Sequence, residues 1–207
     1  MPTHTSLLLV RHAEVESQYQ RVFGGKIDMN LSPLGHAQAG ALAKWIQRQP
    51  LDAIYASPMK RVQQTIAPLA GNGSPQPVIL PDLHEVDFGD WTGLSWEHVQ
   101  EKFGISAHTW LDQLDRGAIP NAENTRTYRA RIEPCLQTIL RESPQQNVAV
   151  FCHGGVIRML LAILLELPLP KMAAFEIDYA SVTKVSLFPH KTEVQLLNFT
   201  PWREAGL

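Results

Sequence analysis

Two short aliphatic runs, each followed at once by a histidine, constrain the fold of this chain most. Residues 6–10 read SLLLV and end two positions before His12, and residues 147–152 read NVAVFC and lead directly into His153. Runs of this kind are typical of strands that are buried on both faces, as in a parallel sheet covered by helices. Since ligands of open α/β sheets bind beyond the carboxyl ends of the strands, we expect both histidines at one ligand-binding edge.

Helical patterns alternate with strand patterns along the rest of the chain. Ser32 and Pro33 are a typical helix start, with serine as N-cap and proline in the first turn, and apolar residues then recur at helical spacing until Pro50. The other predicted elements are strands at 51–56 and 77–80, helices from Ser57 onward and at 125–141, and a closing hairpin of strands at 181–188 and 193–199. This order predicts an α/β fold, a three-layer α/β/α sandwich with a mostly parallel sheet.

The length of 207 residues suits a single domain covering residues 1–207. Within it, residues 84–120 are rich in Trp, Asp, His and Gly and show little periodicity. We expect this segment to be a small helical insertion that caps the sheet. Trp91, Trp96 and Trp110 then either line the mouth of a pocket or form the small core of the insertion.

The composition excludes several classes of function. The net charge is −2, the isoelectric point is near 6.4, and no run of Lys or Arg is long enough to follow a nucleic-acid backbone. The longest apolar stretch, residues 156–165, is too short to span a membrane and contains Arg158. Cys135 and Cys152 fit neither a zinc site nor a disulfide framework, so we expect two free thiols and a cytoplasmic location.

Charged and flexible residues beside the strand ends suggest an anion-binding site. Arg11 immediately precedes the first histidine, and Gly154 follows the second one and opens a helix whose N-terminus favours anions. Arg61 falls in the first turn of a predicted helix, where a cation is unfavourable unless it faces an anionic ligand; the alternative is a solvated side chain. Glu85, flanked by aromatic residues, is a candidate general acid, and the alternative is an exposed loop carboxylate.

Taken together, these motifs resemble the histidine phosphatase superfamily, in the branch that includes cofactor-dependent phosphoglycerate mutases. The resemblance extends from residue 7 to about residue 187 and rests on five motifs in the family's order. They are LVRHAE at 9–14, LSPLGHAQ at 31–38, IYASPMKR at 54–61, LHE at 83–85 with GDW at 89–91, and VFCHGG at 150–155.

The resemblance implies a metal-free and cofactor-free reaction at a phosphorylated histidine. His12 would attack phosphorus, and Glu85 would protonate the leaving alkoxide and then help to activate water. Arg11, Arg61 and His153 would bind the phosphoryl oxygens. In agreement, the eight histidines of the chain form no metal-binding motif such as His-Glu-x-x-His.

The chain departs from the family's pattern at positions near the expected phosphate. Gln18 stands where an asparagine usually reaches the phosphate, and Gly24-Gly25 stands where a hydroxyl residue often precedes glycine. Gly154 and these three residues are nevertheless predicted to bind substrate. Further departures are Ala13, where the family often has glycine, and the segment 121–124, NAEN, which replaces a usual Gly-Glu-Ser.

Four functions remain open on this scaffold. The first is a phosphomonoester hydrolase acting on a small phosphorylated metabolite, with α-ribazole 5′-phosphate slightly favoured because residues 85–91, EVDFGDW, are similar to α-ribazole phosphatases. The second is a phosphoglycerate mutase, disfavoured by the short span between Glu85 and His153. The third is a catalytically silent regulatory protein that binds a phosphorylated ligand, and the fourth is a protein phosphatase. No nucleic-acid or membrane partner is expected, and a homodimer is compatible with the sequence.

Overall fold

A six-stranded sheet forms the centre of the molecule. The computed structural model describes residues 4–71 and 73–207. The strands are β1 (Thr5–Arg11), β2 (Ala53–Ala56), β3 (Pro77–Ile79), β4 (Asn147–Cys152), β5 (Val182–Phe188) and β6 (Lys191–Phe199). Their spatial order is β3-β2-β4-β1-β5-β6; β3, β2, β4 and β1 are mutually parallel, and β5 is antiparallel to both of its neighbours. The prediction of a mostly parallel sheet closed by a hairpin is confirmed.

Helices cover both faces of this sheet. They are α1 (Pro33–Ile46), α2 (Lys60–Ile66), α3 (Trp96–Phe103), α4 (Trp110–Asp115), α5 (Thr125–Glu142), α6 (Gly154–Leu164) and the short α7 (Pro201–Glu204). Alternate residues of β1 belong to different cores: Leu7 and Leu9 pack with α5 and α6, whereas Leu8 and Val10 pack with α1 and α2. Since both faces of β1 are covered, the uninterrupted aliphatic run of this strand is explained and the three-layer α/β/α prediction is confirmed. Across residues 4–71 and 73–207, no helix is both long and apolar enough to cross a membrane.

Helix starts were predicted correctly at one Ser-Pro pair and wrongly at the other. The Ser32 side chain accepts a hydrogen bond from the Gly35 amide at 2.9 Å, as an N-cap does. Ser57 caps nothing, because α2 begins three residues later with Met59 at its N-cap. The hydroxyl of Ser57 has a different partner, described below.

Residues 84–120 consist of short helices and turns. Besides α3 and α4 they contain 3₁₀ turns at Gly89–Trp91 and Ala107–Thr109. The Trp91 side chain is fully buried and belongs to the same core cluster as residues of α5 and α6. The segment is therefore packed onto the α5–α6 face of the sheet beside the carboxyl ends of β1 and β4.

Candidate active site

The ends of β1 and β4 bring His12 and His153 together. In the parallel register of the two strands Arg11 pairs with Cys152, and the two imidazole rings that follow lie edge to face with centroids 5.3 Å apart. His12 is 5% exposed and His153 is fully buried. The prediction that both histidines lie at one edge of the sheet follows from this register.

Arg61 connects the two histidines. Its Nε lies 3.2 Å from His12 Nε2 and 3.2 Å from His153 Nδ1. Its two terminal nitrogens donate to the carbonyls of Ile27 and Gly25 at 2.9 and 3.0 Å. Burial lowers the pKa of Arg61 to about 10, so the guanidinium remains charged at neutral pH. The alternative of a solvated Arg61 is wrong, since this side chain is only 2% exposed.

Hydrogen bonds assign opposite tautomers to the two histidines. Nδ1 of His12 lies 2.8 Å from the carbonyl of Ala13, so it carries the proton and leaves Nε2 with a free electron pair. His153 accepts from Arg61 at Nδ1, so its proton is on Nε2, 2.8 Å from Ser57 Oγ. Burial, reinforced by the charge of Arg61, holds the pKa of both imidazoles well below the ordinary value of 6.5.

Glu85 approaches the start of α6 from the inserted segment. Its Oε1 accepts from the Val86 amide at 2.9 Å, and its Oε2 accepts from the Gly155 amide at 3.2 Å. A Cβ at position 155 would overlap Glu85 Oε1 and lie 3.3 Å from Tyr128 Oη. Glycine is therefore required at 155 for the carboxylate to reach the helix N-terminus. Glu85 is half-buried, so the alternative of an exposed loop carboxylate is wrong.

Two further arginines adjoin these groups. The guanidinium of Arg11 lies 4.0 Å from the ring centroid of Tyr179 and donates to the carbonyl of Ile177 at 2.6 Å. Arg158, on α6, donates to the carbonyls of Gly154 and Phe175. Burial, together with the nearby Arg11 charge, lowers the pKa of Arg158 to about 10.

A cavity of about 380 Å³ opens above His12 and contains most of the predicted site. Seven of the residues expected to act in catalysis or binding line it: Arg11, His12, Gly24, Gly25, Arg61, Glu85 and Gly154. Aromatic side chains form much of its remaining wall: Tyr19, Phe23, Phe88, Trp96, His108, Trp110 and Tyr179. One concave space therefore joins a charged floor to an aromatic wall.

A comparison with family models decides the family. The model described as the histidine phosphatase superfamily (branch 1) matches residues 7–200. The chain belongs to this superfamily.

Relatives of this histidine phosphatase include enzymes named for several substrates. Phosphoserine phosphatase 1 of Hydrogenobacter thermophilus is 29% identical over 194 residues, covering 94% of this chain and 92% of the relative. The adenosylcobalamin/alpha-ribazole phosphatase of Salmonella typhimurium is 26% identical, covering 93% and 95%. A 2,3-bisphosphoglycerate-dependent phosphoglycerate mutase of Methylorubrum extorquens is 30% identical, covering 83% and 84%. The prediction of a histidine phosphatase enzyme is confirmed, and the relatives' names leave the substrate open.

A solved structure has the same fold. The alpha-ribazole phosphatase of Shigella flexneri superimposes with a TM-score of 0.80 at 24% identity, covering 93% of this histidine phosphatase and 96% of that chain. This likeness confirms the α/β architecture.

Two predicted substrate-contacting residues do not line the cavity. Gln18 lies in a 3₁₀ turn at Ser17–Tyr19 with its side chain exposed, and its neighbour Tyr19 lines the cavity instead. His153 is buried behind Arg61. It contacts two residues of the cavity, accepting a hydrogen bond from Arg61 and packing its ring against that of His12. A direct contact of either residue with a phosphoryl group stays a prediction.

Gly24 and Gly25 contribute in a way that the sequence did not indicate. Gly25 has a positive φ of 47°, and its carbonyl accepts from Arg61. The space beside Gly24 is occupied by the end of the Met29 side chain. These glycines therefore help to hold the arginine and shape the cavity wall.

Sequence reasoning missed Tyr179 and did not assign Ser57 and Arg158 to the site. Arg158 does follow the VFCHGG motif by one helical turn, which was an available signal. Of the alternatives for the tryptophans, Trp96 and Trp110 line the cavity, whereas Trp91 lies in the core that the segment shares with α5 and α6.

The part of the chain that the structure describes offers neither an exposed thiol nor a cluster of metal ligands. Cys152 is a free, fully buried thiol, and burial raises its pKa well above the ordinary value, so it is not a nucleophile. Across the described ranges 4–71 and 73–207, no three His, Cys, Asp or Glu side chains are grouped to hold a metal ion.

Proposed function

We propose that this chain is a phosphomonoester hydrolase that acts on a small phosphorylated metabolite through a phosphohistidine at His12. The observation that carries the proposal is the unprotonated Nε2 of His12, which adjoins Arg61 in a cavity that also contains Glu85. A silent regulatory protein would not need a nucleophile, a cationic floor and an acid in one concave site.

His12 is suited to attack phosphorus at neutral pH. A nucleophilic imidazole must be neutral, and burial next to Arg61 and Arg11 keeps its pKa low. The Ala13 carbonyl fixes the ring and its tautomer, so the ring keeps its orientation during attack. Nε2 gives up its share of the Arg61 Nε hydrogen as it attacks. The N–P bond forms at Nε2 as the bond from phosphorus to the leaving oxygen breaks.

The arginines and the start of α6 stabilise the charge on the transferring group. Arg61 has five N–H groups. The Nε–H group is shared by His12 and His153, and two more N–H groups bind the carbonyls of Ile27 and Gly25. Two N–H groups remain for phosphoryl oxygens. Arg11 lines the same floor. Phosphoryl transfer depends mainly on positioning and on such charge stabilisation, so no metal is needed in this scheme.

Glu85 is the acid and then the base. In the first half-reaction its carboxyl proton passes to the leaving alkoxide, and the alcohol departs. In the second, its carboxylate accepts a proton from the water that attacks phosphorus, the N–P bond breaks, and inorganic phosphate is released. The two amides that hold Glu85 fix its carboxyl at the cavity wall.

The cavity wall supports a leaving alcohol that carries an apolar ring. Trp96 and Trp110 of the inserted segment line the cavity, as does Phe88. We propose two substrates to test, α-ribazole 5′-phosphate and phosphoserine, because relatives bear both names at similar identity. The aromatic wall places α-ribazole 5′-phosphate first. We also infer a cytoplasmic location, since both cysteines are free and buried.

Rapid-quench labelling with a phosphorylated substrate tests the mechanism. We expect an acid-labile, base-stable adduct on His12 and a loss of at least ~10³-fold in turnover for His12→Ala. Treatment with EDTA should leave the activity unchanged. A label on serine or cysteine, or activity that returns only with added zinc or magnesium, would overturn the proposal.

A further inference from the structure

A buried ion pair lies behind the loop that carries Glu85. Arg131, on α5, and Glu123, just before α5, form a two-pronged contact with Nε–Oε1 and Nη2–Oε2 distances of 2.8 Å each. Their side chains are only 11% and 17% exposed. Every other ion pair between described residues has one partner that is at least 46% exposed. The scheme proposed above gives this pair no role.

The pair binds the backbone on both sides of Glu85. On one side, Arg131 Nη1 donates to the carbonyl of His84 at 2.9 Å. On the other side, Glu123 Oε2 accepts from the Asp87 amide at 2.9 Å, and the Glu123 amide donates to the Asp87 carbonyl at 3.0 Å. The backbone at 84–87 is neither helix nor strand, so these bonds replace the regular hydrogen bonds that it lacks.

Both partners keep their charges at neutral pH. Burial opposes ionisation of Glu123, but the hydrogen bonds from Arg131 and the Asp87 amide outweigh it and lower the pKa of this carboxyl. Burial also opposes the charge of Arg131, and the hydrogen bond to Glu123 outweighs it and raises the pKa of the guanidinium. The pair therefore does not titrate in the working range of a neutral enzyme.

Stability alone is a weak reason for such a pair. Desolvation of two buried charges roughly cancels their attraction, and well-packed apolar residues often replace a buried pair without loss. A geometric role accounts for it better, because the bonds from Val86 and Gly155 can hold the Glu85 carboxylate only while the loop stays at a fixed distance from α6. Neither Arg131 nor Glu123 lines the cavity.

We propose that Arg131 and Glu123 are positioning residues that hold Glu85 at the leaving-group oxygen. The inference rests on the proposed function, in which Glu85 is the general acid. A misplacement of about 1 Å can cost ~10²-fold in rate. Loosening the loop should therefore slow only those reactions whose leaving group needs a proton.

Single-turnover formation of the phosphoenzyme tests this role. Glu123→Gln and Arg131→Met should slow the step ~10–100-fold with an alkyl phosphate and by less than about threefold with p-nitrophenyl phosphate, whose leaving group needs little protonation. Arg129→Met is the matched control: it removes an exposed ion pair with Glu133 on the same helix and should leave both rates unchanged. If Arg131→Met does not fold, Glu123→Gln provides the test alone.

A second arm asks whether the pair acts through Glu85. In a Glu85→Gln background, adding Glu123→Gln should cause no further slowing with the alkyl phosphate. Three outcomes would overturn this inference: equal slowing of both substrates, additive effects in the double variant, or no slowing at all. In each case the proposed function stands if the wild type still forms a phosphohistidine at His12. Absence of that phosphohistidine in the wild type would overturn both.

Discussion

Ser57 Oγ lies 2.8 Å from His153 Nε2, on the side of the imidazole opposite Arg61. The hydroxyl accepts a hydrogen bond from the Nε2–H group of His153. The other ring nitrogen, Nδ1, is therefore unprotonated and accepts a hydrogen bond from Arg61. Arg61 Nε shares its single hydrogen between this nitrogen and His12 Nε2. The serine thereby helps to set where the arginine lies relative to the nucleophile.

Ser57→Ala should slow phosphoenzyme formation by about twofold to tenfold, the value of one neutral hydrogen bond of ~0.5–1.5 kcal/mol. Ser57→Thr retains the hydroxyl and should restore most of the rate. In ¹⁵N spectra of labelled histidine, wild-type His153 should carry its proton on Nε2 and His12 on Nδ1. The interpretation is wrong if Ser57→Ala leaves both the tautomer of His153 and the rate unchanged.

Gly155→Ala should mimic loss of the acid. The added methyl group would overlap Glu85 Oε1, so the carboxylate must leave its place at α6. We expect a loss of at least ~10²-fold with alkyl phosphates and a much smaller loss with p-nitrophenyl phosphate. The measurement is single-turnover phosphoenzyme formation with both substrates.

Gly40→Ala is the control for that substitution. Gly40 is also helical, and a Cβ there meets no atom within 4 Å. It should leave the rates unchanged and raise the free energy of unfolding by about 0.5–1 kcal/mol. If Gly155→Ala retained full activity with alkyl phosphates, the placement of Glu85 would not matter for the reaction.

The sequence predicted the sheet and the convergence of the site because both depend on local patterns. An aliphatic run marks a strand that is buried on both faces, and the residue after such a strand lies at its carboxyl end. The position of His153 behind Arg61 was not predictable, because it depends on which side chain α2 brings across from another part of the chain. Ser57 was misread for the same reason. A Ser-Pro pair typically starts a helix, but here the serine hydroxyl binds His153, which is distant in sequence, instead of capping α2.

Gln18 illustrates the limit of inference from a family pattern. A motif fixes the position of a residue along the chain but not the direction of a side chain in a short turn. The 3₁₀ turn at Ser17–Tyr19 leaves the Gln18 side chain exposed and Tyr19 at the cavity. Glu123 shows the converse, since a position noted only as a departure from the pattern is buried against the loop of Glu85.

Phosphate release should exceed isomerisation when 3-phosphoglycerate and 2,3-bisphosphoglycerate are supplied. A mutase must keep water away from its phosphoenzyme, whereas the cavity of about 380 Å³ leaves room for water beside a small phosphoglycerate. Phosphate release and the two isomers can be measured in one reaction by a phosphate assay and ³¹P spectra. Isomerisation faster than release would favour the mutase function of the Methylorubrum extorquens relative.

The two buried histidines should make the protein less stable as the pH falls below neutrality. Burial, with the nearby Arg61 charge, lowers the pKa of His12 and of His153 in the folded state, whereas both titrate near 6.5 when unfolded. Between those values the unfolded chain binds protons that the folded chain does not, so the stabilising contribution is present above pH 6.5 and is lost on acidification. A histidine that stays neutral in the folded state throughout sets the upper limit, about 1.4 kcal/mol between pH 7.5 and 5.5, or ~2.7 kcal/mol for the pair.

Urea unfolding at pH 7.5 and 5.5 measures that difference. His153→Asn should remove about half of it, because asparagine does not titrate, whatever the substitution does to stability at a single pH. His190→Gln, at an exposed position in the turn between β5 and β6, is the control and should leave the difference as in the wild type. If His153→Asn kept the full pH dependence, His153 would be protonated in the folded state, and its role as a neutral acceptor for Arg61 Nε would be wrong.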